Sequence, residues 1–230
     1  KSNASGIRWR EHRVEWLGLE LEAIIDHDDP VILHGLSSRI KYMRIVRRKL
    51  KCRNRFYVQL VCEGKPYWKP KHKVGEGLVG QDLGPSTIAA VSPEHAFLDQ
   101  FCAELEPREK EIRRLQRKRD RQQRANNPQN YNPNGTIKRG PKVWHKSARQ
   151  LRTEAKLAEL YRKQAAHRKS LHGQMVHRVL AMGNVFPLEK LSYRAFQRRF
   201  GRSVGLRAPG KYLKHFKYKA ESAGAWVYEF

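Results

Sequence analysis

Two acidic residues stand at the ends of apolar runs in a chain otherwise crowded with cations. In "GLVGQDLGPSTIAAVS", Gly77 to Ser92, Asp82 closes one apolar run and is followed by a tight turn and a second run. In "GNVFPLEKLSYRAF", Glu189 closes another. If the strands carrying them are parallel or adjacent, the two carboxylates come within a few ångströms and repel unless a cation lies between them. Oxygen ligands of this kind select Mg²⁺ or Mn²⁺ over zinc. In phosphodiester hydrolysis, two such ions about 3.5–4 Å apart activate the attacking water and stabilise the leaving oxygen. The same residues also suit a plainer role, ending strands or pairing with cations such as Lys190. Spacing alone does not choose between the two.

The composition says what such a site would act on. The chain has 230 residues with 48 Lys and Arg against 22 Asp and Glu, a formal charge of +26 and a pI of about 10.4. Hydrophobic residues make up 39%, too many for a disordered basic tail, so a folded protein with a polyanionic partner is expected. No apolar run approaches the roughly 20 residues that cross a bilayer, and "KSNASGIRWREHR" lacks the apolar core of a signal peptide. A membrane partner is therefore not expected, and nucleic acid in a cytoplasmic or nucleoid-associated setting is. Cys52, Cys62 and Cys102 form no CxxC pair, which excludes a zinc ribbon built from them and suits reduced thiols.

The elements that must position the acids follow from pattern. From Val14 the texture is short and β-like, with a turn at "DHDDP". "RIKYMRIV" and "RFYVQLVCEG" flank "KCRNR", with Phe56, Val58, Leu60 and Cys62 on one face. This predicts a meander or small barrel whose first strands are missing, because Lys1 to Arg13 offers little to pair with. "KPYWKPKHKVGEG" reads as a linker, and "LVGQDLGPSTIAAVS" as strand, turn, strand. "LEPREKEIRRLQRKRDRQQRANN" predicts a helix with Leu105, Ile112 and Leu115 as a thin apolar seam. "NNPQNYNPNGTIKRGPK" predicts a mobile loop. A second helix runs from about Ser147 to Met182 with Leu151, Ala155, Leu160, Leu171, Met175 and Val179 among cations, on the order of 50 Å long. "KYLKHFKYKAESAG" reads as an amphipathic helix with Gly224 as its C-cap, and "AWVYEF" as a buried strand. Pro187 argues for a bulge or an edge position.

Cations on the first long helix are one-sided. Arg113, Arg114, Arg117, Lys118, Arg121 and Arg124 are candidate phosphate contacts, together with Arg198, Arg199 and Arg202 in "QRRFGRSVG". Like charges at helical spacing repel by a few tenths of a kcal/mol per pair, a cost that phosphate relieves. Tyr131, Trp144, Tyr193 and Phe196 are candidates for base stacking, as are Tyr67 and Trp68. His167, His172 and His177 show no metal spacing and read as phosphate contacts or surface residues.

These stretches resemble a known family. "VGQDLGPSTIAAVS" resembles the first RuvC motif, and "LEKLSYRAFQRRFGRSV" with "APGKYLKHFKYKAESAGAWVYEF" resembles the second motif and following helix, of TnpB proteins, the nucleases of IS200/IS605 transposons that look like ancestors of Cas12 effectors. The resemblance covers about Arg39 to Phe230. It implies an α/β chain: an RNase H-like (RuvC) domain over 75–230 with a helical hairpin insertion at 103–182, preceded over 1–74 by part of a β-rich wedge or barrel-like segment. It further implies Mg²⁺ or Mn²⁺ held by Asp82 and Glu189, a guide RNA, and cleavage of target DNA by a monomer or a weak dimer on RNA, with base pairing supplying specificity. The family's third acid and zinc ribbon find no match, since only Glu221 and Glu229 follow Glu189. The expectation is thus an incomplete endonuclease, or a nuclease-dead RNA- or DNA-binding repressor. A structural RNA binder with incidental acids is the third reading.

Overall fold

The computed structural model describes residues 6–50 and 53–230. Lys51 and Cys52, in the "KCRNR" turn, lie outside the described residues. The chain divides into two compact units, Lys1–His72 and Lys73–Phe230.

In the first unit, β1 (Arg8–Arg10), β2 (Arg13–Trp16) and β3 (Leu19–Glu22) form an antiparallel sheet in that order. The expectation that Lys1 to Arg13 offers little to pair with Val14 onward is corrected: Trp9 lies opposite Val14. Two-residue turns at Glu11–His12 and Leu17–Gly18, with positive φ at all four residues, make these hairpins. Such turns match strand twist but normally advertise themselves with Asn-Gly or Asp-Gly, and these do not. "DHDDP" is more than a turn. Asp29 caps α1 (Pro30–Leu36) by accepting from the Val31 N–H at 2.9 Å, and Pro30 occupies the first helical position, where no N–H is needed. β4 (Ile40–Leu50) and β5 (Arg53–Cys62) form a separate two-stranded ribbon. Among the described residues no ladder joins the ribbon to the three-stranded sheet, so the expected barrel does not close.

The second unit is built on a mixed five-stranded sheet. β6 (Gly80–Leu83), β7 (Thr87–Val91) and β8 (Ala96–Gln100) form an antiparallel meander; β9 (Val185–Leu188) and β10 (Trp226–Glu229) are added on the other side of β6, giving the order β10-β9-β6-β7-β8 with β6, β9 and β10 parallel. Between β8 and β9 run α2 (Glu109–Asn126) and α3 (Ala148–Leu180), packed on each other; α4 (Tyr193–Arg207) and α5 (Pro209–Ser222) lie between β9 and β10. One sheet face is the core. Val79, Leu83, Ile88, Phe186 and Leu188 are buried there with Val176, Val179 and Leu180 of α3 and Tyr212, Phe216 and Ala220 of α5. Phe186 meets Phe216 edge to face at 4.9 Å.

Several expectations change. The apolar residues of α3 do not all face the core: Leu151 is exposed, while Gln150, Thr153 and Leu157 are buried. His172 is also buried, stacked on Phe101 at 5.3 Å, so it is a core residue rather than a phosphate contact. β10 is a largely exposed edge strand, not a buried one. Pro187 stands at neither an edge nor a bulge. β9 is flanked on both sides, and the Leu78–Val185 and Gln81–Leu188 pairings with β6 share one offset. Val185 exchanges hydrogen bonds with the β6 side, whereas Asn184 and Leu188 accept from β10. By this alternation Pro187 turns its missing N–H toward β6. The cost falls on the β6–β9 ladder, which is correspondingly sparse.

Candidate metal and nucleic-acid site

The chain crosses itself tightly where β6 and β9 begin. A Cβ on Gly183 would stand 2.5 Å from the Gly77 carbonyl oxygen and 2.5 Å from Val79, and one on Gly75 would stand 2.5 Å from the Ala181 carbonyl oxygen. Only glycine allows this approach. Around it, the Gly77 carbonyl accepts from Asn184 and Val185 at 3.0 and 3.1 Å, and the Gly77 N–H donates to the Asn184 side chain at 3.1 Å. The crossing locks the register of the two strands.

That register carries Asp82 and Glu189. Gln81 is opposite Leu188, so the next residues, Asp82 and Glu189, are level on neighbouring parallel strands and point to the same face. Parallel strands are about 4.8 Å apart, which puts two carboxylates within reach of one divalent ion. Both residues are exposed. They lie at the carboxyl ends of β6 and β9, where the chain, having laid β7 and β8 to one side, turns to lay β9 and β10 on the other. Clefts outside such strand ends, at the point where strand order reverses, are where open α/β sheets bind ligands.

Among the described residues, neither carboxylate accepts a hydrogen bond or forms an ion pair. Lys190 does not serve Glu189. Its N–H goes to Phe230, and its charge acts on Glu229, which faces α5 and pairs with Lys217. Glu229 is thus on the opposite face and does not complete the pair. Among the described residues no group of three or more His, Cys, Asp or Glu could hold a metal ion. A set of two still fits Mg²⁺, which is commonly held by one or two carboxylates, with water and substrate phosphate oxygens filling the rest.

Tyr193, a candidate for base stacking, is half-buried within electrostatic reach of both acids. Its phenol donates to the Leu83 carbonyl at 3.3 Å, and burial, then Asp82, then Glu189 push its ionisation up to about 12. It is a neutral donor at every working pH. α4, which it begins, is tied down along its length. Ser203 donates to the Pro85 carbonyl at 2.6 Å, and Arg207 to the Phe101 carbonyl at 2.7 Å. Its last carbonyls receive Arg168 at 2.9 Å and His172 at 2.8 Å, both from α3, supplying the donors that a helix C-terminus lacks. Arg198, Arg199 and Arg202 are exposed on this anchored helix and form no ion pair among the described residues.

On α2 the seam is thinner than expected: Leu115 is buried, Ile112 partly, and Leu105 is buried ahead of the helix. The opposite side is a groove of about 400 Å³ walled by Lys110, Arg113, Arg114, Arg117 and Arg121. Arg113 reaches Glu109 at 3.3 Å, while Arg114, Arg117, Lys118 and Arg121 have no ion pair among the described residues. Arg124 leaves this row and lies over the Tyr131 ring at 5.5 Å.

The glycine crossing and the role of Tyr193 were missed by reading the sequence. Gly183 stands two residues before an apolar strand, a weak sign of close backbone approach, but its partner is distant in the chain and no local pattern names it. No family model matches the chain, and no curated protein matches it.

Proposed function

We propose that the second unit is an RNase H-like, RuvC-type nuclease domain and that the chain acts in RNA-guided cleavage of DNA in the manner of TnpB proteins. The observation that carries the reading is the unpartnered pair Asp82 and Glu189, level on adjacent parallel strands at the strand-order reversal, in a chain with a formal charge of +26. The mixed sheet, with β9 and then β10 added parallel to the first strand of a three-stranded meander, is compatible with that reading.

In this reading Asp82 and Glu189 hold Mg²⁺ or Mn²⁺, which when bound supplies charge neutralisation at the scissile phosphate and an activated water. The chain's own residues do the rest. Tyr193, its neutral O–H held by the Leu83 carbonyl, adds no charge beside the acids. Arg198, Arg199 and Arg202 grip backbone phosphates next to the pair, and the α2 row grips them further away, so that guide and target are held through charge while their pairing supplies sequence. No helix among the described residues is long and apolar enough to cross a membrane.

The test is cleavage of matched DNA by the chain with its guide RNA and Mg²⁺. Asp82→Asn and Glu189→Gln are each expected to reduce the rate at least about 100-fold, in the range seen when a single transition-state stabilising group is lost, with RNA binding retained. Cleavage that survives Asp82→Asn contradicts the assignment. A second reading is favoured by the two-member ligand set: a nucleic-acid-binding relative that grips without cutting. It predicts salt-sensitive binding and no cleavage by the parent chain.

A further inference from the structure

The segment 127–147 between α2 and α3, which overlaps the loop expected to be mobile at 126–142, is held by asparagine side chains. The Asn127 side chain donates to the Gln123 and His145 carbonyls at 2.8 and 2.9 Å and accepts from the His145 N–H at 2.6 Å. Asn130 donates to the Val143 carbonyl at 2.7 Å, and Asn126 donates to Ser147 and Gln150 at 3.0 and 3.1 Å. Asn127 is 0% exposed and Asn130 is 7%. Folded loops normally bury apolar side chains and leave amides in water. Here the order is reversed. Two amides are buried to fix the backbone on both sides of Trp144, while the indole is 36% exposed and Val143 is 68% exposed.

The exposed indole has a defined setting. Tyr131 meets it edge to face at 5.9 Å and is itself covered by Arg124. Beside it is an open pocket of about 270 Å³, walled by Trp144, Arg119, Gln123, Lys146 and Glu154. That is below the range of about 300–1,000 Å³ usual for drug-sized ligands and suits one planar ring. Between Asn127 and Ser147 the sequence carries Lys138, Arg139, Lys142 and Lys146 and no acid. A rigid aromatic with a polar-walled slot, in a segment of one charge sign, has the elements of a stacking platform for unpaired bases.

We propose that this loop binds single-stranded nucleic acid, with Trp144 stacking on a base and the loop cations on the flanking phosphates. It shares the polynucleotide ligand with the reading above but does not use the acid pair. The loop precedes the N-terminus of the 33-residue α3 and β9 follows its C-terminus, so the platform is a second contact separated from the acid pair along the hairpin. Its role is to hold an unpaired stretch remote from the site of cutting.

The test uses the full chain in EDTA, so that metal sites do not contribute. Fluorescence anisotropy would compare a DNA strand of about 12 nucleotides, within the site sizes of stacking folds, with an RNA of the same sequence and an abasic strand with the same number of phosphates. Trp144→Ala is expected to weaken binding of the base-bearing strands by about 5- to 150-fold and leave the abasic strand unchanged, while Trp144→Phe retains most of the affinity. The arm with the larger loss, RNA or DNA, identifies the natural strand. Equal affinities of parent and Trp144→Ala for base-bearing strands, or an equal loss on the abasic strand, overturn the proposal. Should Trp144→Ala fail to fold, photo-crosslinking of bromouracil-substituted strands to the parent decides: an adduct on Trp144 or Tyr131 supports the platform, and adducts only elsewhere refute it. Cleavage that persists when the platform fails keeps the acid-pair reading alive, and platform binding that persists in Asp82→Asn keeps the two separable.

Discussion

The acid pair and the buried histidine are opposite solutions to placing an ionisable group in a cationic protein. Asp82 and Glu189 stay exposed, where water screens their mutual repulsion. His172 is buried, and desolvation lowers its proton affinity below the ordinary 6.5, opposed by the hydrogen bond to the Arg207 carbonyl and aided by the charges of Arg168, His215 and Lys211. His215 is lowered as well, by burial and then by Lys219 and Lys169. With the folded value below the unfolded one, the unfolded chain takes up protons first as pH falls. Stability is then full above about pH 6.5 and declines below it, toward the folded-state values. Thermal midpoints measured across this range should fall on the acid side, and His172→Gln should flatten the curve; an unchanged slope in that variant assigns the effect elsewhere. In the sequence the acids were legible because a carboxylate after an apolar run in a basic chain is a local anomaly. His172 was not, because a histidine among cations on a helix looks the same whether its side meets solvent or Phe101.

At the scale of elements, the register of β6 against β9 decides whether the acids meet, and the glycine crossing decides the register. Gly183→Val forces a side chain into the Gly77 carbonyl and Val79. The expected result is lower thermal stability together with loss of any metal-dependent activity, whereas Gly201→Ala, on α4 with open space at its Cβ, should cost little of either. Phe216→Ala removes the ring that packs on Phe186 and Tyr212 in the core beneath the sheet and should cost about 3–5 kcal/mol by denaturant unfolding. On α2, Arg114→Glu with Arg117→Glu should weaken binding to all sequences alike and flatten the salt dependence by about 0.7–0.9 per lost phosphate contact; an unaltered salt slope would make the row a solvated face. The helices and strands near both acids were readable from periodicity and turn residues. The first hairpins were not, because Glu11, His12 and Leu17 adopt left-handed backbone without the usual turn residues. The stapled loop was not either, since asparagines that hold a loop together and asparagines that leave it free have the same composition.

At the scale of the whole chain, a formal charge of +26 is spread over two compact units that carry it on different elements. The first carries its cations on sheet and ribbon, with Arg44 over Tyr42 and Arg48 over Tyr57. The second carries them on helices around an acid pair. Many of the 22 acids pair with neighbouring cations, whereas Asp82 and Glu189 form no ion pair among the described residues. The most direct test is a Mn²⁺ titration of the parent chain, Asp82→Asn, Glu189→Gln and the double variant, followed by electron paramagnetic resonance without nucleic acid. One saturable site in the parent, weakened at least about tenfold by either substitution and no further by both, is the result expected of two carboxylates sharing an ion. Mn²⁺ binding that is the same in all four proteins would contradict it.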